Sequence, residues 1–337
     1  MRRIIPIFFM AIALFGFMAF TPAQPQAETT LTYSNFFPPT HIQSQTAEAW
    51  CKEVEKRTEG RVKIQYFPGQ TLTKAKQTYD GVVDGIADIG FSCIAYTQGR
   101  FPVMASVDLP FGYQSGKQAT SVANALYTAM KPKEFDETQV MYFHAHGPGL
   151  LHTRNKAVKK LEDMKGLKIR STGMSADVVT ALGGVPVPMP MPDSYQALQK
   201  GVVDGSVHPT ETNKGWKIGE VVKYATFAYP AAYTTNMYVV MNKNKWNALD
   251  PKDRQIIEAI NKEWAPKHGE AWDSSDVEGT QFFASQKGNE IIKLDEAESA
   301  RWGAAVKPVI DAYAKQLTGQ GLDGAKVVST IQEAFKK

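Results

Sequence analysis

From Arg61 to Phe67 polar and apolar residues alternate, with Val62, Ile64 and Tyr66 on one side, and that two-residue period predicts a β-strand. Upstream, residues 31–35 read as a first strand, broken by Phe36-Phe37-Pro38-Pro39. Trp50, Cys51 and Val54 then fall among the less polar positions of a predicted helix over 40–58, with Thr40 as its N-cap and Glu59-Gly60 as its stop. A helix over 73–83 and a strand over 86–92 follow. Further on, strands are predicted at 140–143, 150–153, 167–171 and 238–241, with a proline-spaced extended stretch at 185–191. A helix over 175–182 ends at Gly183-Gly184, and Asp193 caps another that begins with Tyr195. From Pro251 the pattern is strongly helical through Ile256, Ile257, Ile260 and Trp264, and Pro266 is expected to kink or divide that helix. Alternating strands and helices indicate α/β structure with covered sheet faces.

The pentapeptide Gly-Val-Val-Asp-Gly occurs twice, at 81–85 and 201–205, each time after a stretch led by a tyrosine, Tyr79 or Tyr195. Gly85 and Gly205 stand where a helix must stop, so a left-handed cap is expected at both. A helix–Gly–strand unit used twice implies two similar lobes, and clefts between lobes are where small ligands bind.

Arg2 and Arg3, an apolar run over 4–20, and the small residues of Thr21-Pro22-Ala23-Gln24-Pro25-Gln26-Ala27 form the pattern of a secretory signal peptide over 1–27. No later run is long and apolar enough for a span. The 38 Lys and Arg against 34 Asp and Glu come closer to balance once Arg2 and Arg3 leave with the leader. That balance, with no basic run interleaved with aromatics, argues against nucleic acid. Spacing leaves Cys51 and Cys93 open to a disulfide or to two buried thiols. His144-Ala145-His146 would share a strand face but lacks a third ligand, so neither a metal nor a cofactor is expected. An exported hydrolase of small carboxylate esters or amides is the alternative to a binder, but the chain carries no Gly-x-Ser-x-Gly elbow and no His-Glu-x-x-His helix, and Ser175 has no identifiable base.

Arg170 follows Leu167-Lys168-Ile169 at a strand end, ahead of Ser171-Thr172-Gly173 and a helix. Ligands of α/β sheets gather at such ends, and a guanidinium fork matches a carboxylate with two parallel hydrogen bonds. The run from Leu161 to Arg170 (LEDMKGLKIR) resembles the signature of the DctP family, the solute-binding proteins of tripartite ATP-independent periplasmic (TRAP) transporters. The similarity continues through Ala181-Leu182-Gly183-Gly184-Val185-Pro186, the Tyr195 to Gly205 stretch, Phe36-Phe37-Pro38-Pro39-Thr40-His41, Gly99-Arg100-Phe101-Pro102, Asp108-Leu109-Pro110-Phe111 and Met241-Asn242-Lys243.

The resemblance implies a two-lobed periplasmic binding protein of type II-like α/β fold, each lobe a sheet flanked by helices, with a long helix crossing between them. The expected division is 28–147 plus 234–273 for lobe I and 148–233 plus 274–337 for lobe II. It also implies a hinge-closing cleft, an organic acid ligand clamped by Arg170, and membrane transporter subunits as partners of a monomeric periplasmic protein. Some members carry a second arginine about twenty residues before the main one, where this chain has Leu150; an apolar residue there favours a monocarboxylate with an apolar body. His208 occupies a position where the family commonly has a polar cleft residue. Ser92 and Tyr96 are expected to face it, and Phe36, Phe37, Met191, Trp216, Tyr233 and Asn236 border the same cleft, suiting an aromatic or branched acid.

Overall fold

A computed structural model of the chain describes residues 28–336; the expected leader over 1–27 lies outside them. The strands are β1 (Thr29–Asn35), β2 (Val62–Phe67), β3 (Ile89–Cys93), β4 (Thr138–Ala145), β5 (Leu150–Thr153), β6 (Lys168–Ser171), β7 (Val185–Pro188), β8 (Gly205–His208), β9 (Tyr224–Phe227), β10 (Asn236–Asn242) and β11 (Glu290–Lys293). The helices are α1 (Ile42–Arg57), α2 (Thr78–Val83), α3 (Gly116–Met130), α4 (Ser175–Ala181), α5 (Ser194–Gln199), α6 (Thr212–Gly215), α7 (Lys243–Ala248), α8 (Pro251–Ser285), α9 (Glu296–Gly319) and α10 (Gly324–Phe335).

The strands sort into a five-stranded sheet, ordered β2-β1-β3-β10-β4, and a six-stranded sheet, ordered β11-β9-β5-β8-β6-β7. We call their surroundings lobes I and II. In lobe I, β1 is parallel to β2 and β3, while β10 runs antiparallel between β3 and β4. All seven residues of β10 are buried, as expected of a strand covered on both faces. In lobe II, β6 lies parallel between β7 and β8, which sets Arg170 beside Ser206, and β8 pairs antiparallel with β5.

Helix α8 is the long crossing element. Its 35 residues pack on α1, α3 and β4 of lobe I and on α6 of lobe II. Pro266 does not divide it. Helix α9 crosses as well, with Trp302 and Val306 in the lobe II core and Tyr313 and Leu317 in that of lobe I. The sequence division places 274–337 in lobe II, but α10 docks on α3, burying Val327 and Ile331 with Leu126 and Phe143.

Local chemistry shifts several boundaries. Helix α1 is capped by His41 rather than Thr40: its Nδ1 accepts from the Gln43 N–H at 3.2 Å. Helix α2 starts at Thr78, not 73, because the Thr73 hydroxyl is tied to Ser34 Oγ at 2.7 Å and holds that segment in a turn. Asp193 precedes Ser194 at the start of α5 but makes no capping bond.

The repeated pentapeptide is out of phase with the structural repeat. Gly85 is left-handed (φ 77°), but its counterpart is Gly201 (φ 72°); Gly205 is the first residue of β8 and is not left-handed. What recurs is Gly-x-x-Asp, four residues from glycine to strand: Gly85-Ile86-Ala87-Asp88 before β3 and Gly201-Val202-Val203-Asp204 before β8. In both copies the aspartate accepts a neighbouring strand's N–H at 2.8 Å, Thr32 in one case and Lys168 in the other. Gly205 is small for another reason: a Cβ there would sit 2.4 Å from the His152 carbonyl oxygen.

Candidate functional site

Between the lobes lies a cavity with about 370 Å³ free of protein atoms, part of it open to solvent. Lobe I and α8 contribute Phe36, Phe37, Cys93, Tyr96, His146, Thr235, Met237 and Trp272; lobe II contributes Arg170, Thr172, Met191, His208, Pro209, Glu211, Thr212, Trp216 and Tyr233. Five of the aromatic members form one continuous wall, while Tyr233 stands apart against His146. Phe36 stacks on Trp216 (6.2 Å, 19°) and meets Tyr96 edge-on, while Phe37 packs against Trp216 and Trp272.

Arg170 is the cationic centre. Its position on β6 leaves it 2% exposed. Nε donates to the Met189 carbonyl at 3.0 Å and Nη1 to the Val207 carbonyl at 3.4 Å; among the described residues no carboxylate pairs with it. A buried charge without a counter-ion costs several kcal/mol, so an anion entering the cavity would be favoured beside Arg170.

Burial lowers the proton affinity of the two imidazoles that line the cavity. Burial, then the neighbouring His152 and Arg170, push His208 well below the usual histidine range. Its ring stacks on His152 at 4.0 Å, its Nδ1 meets Ser206 Oγ at 2.9 Å, and its buried Nε2 has no partner. Burial also lowers His146 to about 4, with Arg170 adding to the effect. His146 Nδ1–H donates to the Gly147 carbonyl, 2.6 Å away, which leaves Nε2 as an acceptor. His144 does not share this role: its Nδ1 accepts from Trp272 Nε1, and the ring stacks on His268 beneath α8.

The profile of the DctP family, described as bacterial extracellular solute-binding protein, family 7, matches residues 33–316. This chain belongs to the DctP family. The 2,3-diketo-L-gulonate-binding periplasmic protein YiaO of Escherichia coli K12 is 26% identical over 329 residues, covering 96% of this chain and 98% of its own. Two solved structures of TRAP solute-binding proteins superpose closely. One, from Rhodoferax ferrireducens and in complex with copurified benzoate, has a TM-score of 0.86 at 29% identity, covering 91% of this chain and 98% of that one. The other, from a marine metagenome, is specific for aromatic acid ligands and holds metahydroxyphenylacetate; its TM-score is 0.87 at 28% identity, with 92% and 99% covered. DctP-family proteins are the substrate-binding components of transporters and work with membrane subunits.

Of the DctP-type contacts expected from sequence, Arg170, His208, Phe36, Phe37, Tyr96, Met191, Trp216 and Tyr233 meet at the cavity. Three do not. Ser92 points the other way along β3 and donates to the Ala75 carbonyl at 2.6 Å, leaving the wall to Cys93. Asn236 is turned into lobe I, where its N–H donates to Asp108 and its amide to the Met104 carbonyl; Thr235 and Met237 face the cavity instead. Leu150 pairs with His208 across the ladder, yet it lies one strand farther from Arg170 and does not line the cavity. Trp272, Glu211 and Thr212 have no sequence signal of their own, because tertiary packing alone brings α8 and the loop after β8 to this place; Thr172 follows β6 in the turn beside Arg170 and was legible from that position. Both cysteines are free and buried.

Proposed function

We propose that this protein captures an organic monocarboxylate with an aromatic or branched apolar body and delivers it to the membrane subunits of a TRAP transporter. Arg170 carries the reading: a buried guanidinium lacking an acidic partner, opposite an unbroken aromatic wall. The acid docks on Arg170 as a bidentate partner, His208 offers its unpartnered Nε2, and Phe36, Phe37, Tyr96, Met191, Trp216 and Tyr233 enclose the apolar body. Glu211 lies in the same cavity and opposes a second carboxylate. The benzoate and metahydroxyphenylacetate held by similar proteins support the ligand class. Closure of the lobes removes water and strengthens the ion pair. The leader over 1–27 directs the chain to the periplasm, where it acts as a monomeric shuttle.

Mass spectrometry of acid extracted from the purified protein identifies the guest. Calorimetry then compares benzoate with benzamide and benzyl alcohol. Benzoate is expected to bind at least a hundredfold more tightly, roughly the value of a buried charged pair. Equal affinity for the neutral analogues removes the reading.

A further inference from the structure

The two lobes are joined at the back of the aromatic wall by a side-chain bond that is no part of the proposed carboxylate clamp on Arg170. His41 caps α1 on lobe I, and Glu211 lies between β8 and α6 on lobe II. His41 Nε2 and Glu211 Oε2 are 2.9 Å apart, with side chains 0% and 3% exposed. The tautomer follows from the cap: Nδ1 accepts from the Gln43 N–H, so the ring proton sits on Nε2 and is donated to Glu211. The carboxylate is itself aimed. Its Oε1 accepts from the Thr212 hydroxyl at 2.8 Å, and the Glu211 backbone N–H donates to Asp276 Oδ1 on α8 at 2.8 Å. Gly215 leaves room for the pair, since a Cβ there would fall 2.7 Å from Glu211 Oε2 and 2.8 Å from the His41 ring. The imidazole is walled in by Phe37 at 4.4 Å, Trp216 at 5.8 Å and Trp272 at 6.0 Å, three rings that also line the cavity.

We propose that His41 and Glu211 are positioning residues that hold the closed arrangement of the lobes in their own right, and so set how long a ligand stays. The bond cannot survive separation of the lobes, and its formation needs α1, the loop after β8 and the aromatic wall in register. Two other contacts cross beside it, the Met191 N–H to Tyr96 Oη at 3.0 Å and Thr172 Oγ1 to the Ala95 carbonyl at 3.4 Å, but both lean on backbone. The His41–Glu211 bond involves a carboxylate, so its loss is worth more than that of a neutral hydrogen bond.

This inference rests on the proposed capture and closure, and the test keeps the two apart. His41→Asn retains a good N-cap but is too short to reach Glu211. Stopped-flow tryptophan fluorescence with benzoate as the probe is expected to show dissociation accelerated roughly 10- to 100-fold, with association changed by no more than about threefold. Adding Glu211→Gln to His41→Asn should cost little more. Unchanged dissociation in His41→Asn, or two losses that simply add, overturns the latch. A second readout needs no ligand. Spin labels at the exposed positions of Ile86→Cys and Val202→Cys, on opposite lobes, report the spread of interlobe distances. His41→Asn shifts that distribution toward longer distances, whereas Arg170→Ala abolishes benzoate binding without moving it. An unshifted distribution in His41→Asn refutes the latch even if benzoate proves to be the wrong guest, a result that counts against the ligand class alone.

Discussion

Replacing Arg170 with Met removes the charge while keeping most of the apolar stem. Arg170 is 2% exposed and its guanidinium bonds two carbonyls, and in the proposed complex the counter-charge that no described carboxylate supplies comes from the bound acid. Deleting one partner of a buried pair costs about 3–5 kcal/mol, because the other is left desolvated and unpaired. At about 1.4 kcal/mol per decade, affinity for benzoate should fall roughly 100- to 4,000-fold. The ligand-free protein should respond in the opposite sense. It sheds a buried charge that nothing in the chain neutralises, so its melting temperature should hold or rise. Arg170→Lys should recover only part of the affinity, since a point charge cannot reproduce the two-pronged fit. Titration calorimetry measures the first quantity and ligand-free thermal unfolding the second. The reasoning fails if Arg170→Met binds benzoate within tenfold of the parent. It fails equally if the ligand-free variant loses several kcal/mol of stability, for Arg170 would then be serving the fold.

Trp216→Ala, which removes a half-buried ring stacked on Phe36, should weaken benzoate binding by about 1–2 kcal/mol and leave acetate binding nearly unchanged; equal losses for both would place the ring outside the ligand's reach. Stability should depend on pH through two opposed sets of groups. Burial holds His146 and His152 at about 4 and His268 at about 3, so the unfolded chain, titrating near 6.5, binds protons first. Their contribution is complete above pH 6.5 and is lost as pH falls toward 4, and for His268 toward 3. Asp276 and Glu134 are raised to about 7 by burial, so theirs is present at low pH and is lost as pH rises through 7. Asp276→Asn should therefore make unfolding free energy rise more steeply between pH 4.5 and 6.5, by up to about 1.4 kcal/mol per pH unit; a flatter slope in urea titrations contradicts the assignment. Gly85→Ala and Gly201→Ala should each cost about 1–2 kcal/mol for a left-handed residue, and Gly205→Ala more, through its collision with His152. Tolerance at 201 in denaturant unfolding would restore the phase of the pentapeptide.

Arg170 was legible because strand, polar turn and helix follow one another locally, and because its flanking residues carry a family signature. The long helix after Pro251 was legible from its apolar spacing. The errors at Ser92 and Asn236 share one cause. Successive strand residues face opposite ways, so a choice one residue off, with Cys93 lining the cavity rather than Ser92 and Thr235 and Met237 rather than Asn236, selects the wrong side of the sheet. Gly205 departs from expectation because matching letters do not guarantee matching backbone, and the turn repeats as Gly-x-x-Asp. Neither His41 with Glu211 nor Trp272 could be read from the chain, since their partners lie 170 and 128 residues away.

The placement of β10 between β3 and β4, and of α10 on α3, has a consequence for how the protein comes into being. The first lobe lacks the strand that joins β3 to β4 until residue 242 is available, and its outer layer stays open until α10 follows. No contiguous N-terminal fragment can complete that unit, so maturation depends on distant pairings that form late and slowly. Early termination of the chain, or loss of α10, is therefore expected to yield material fit for degradation rather than a partly working protein.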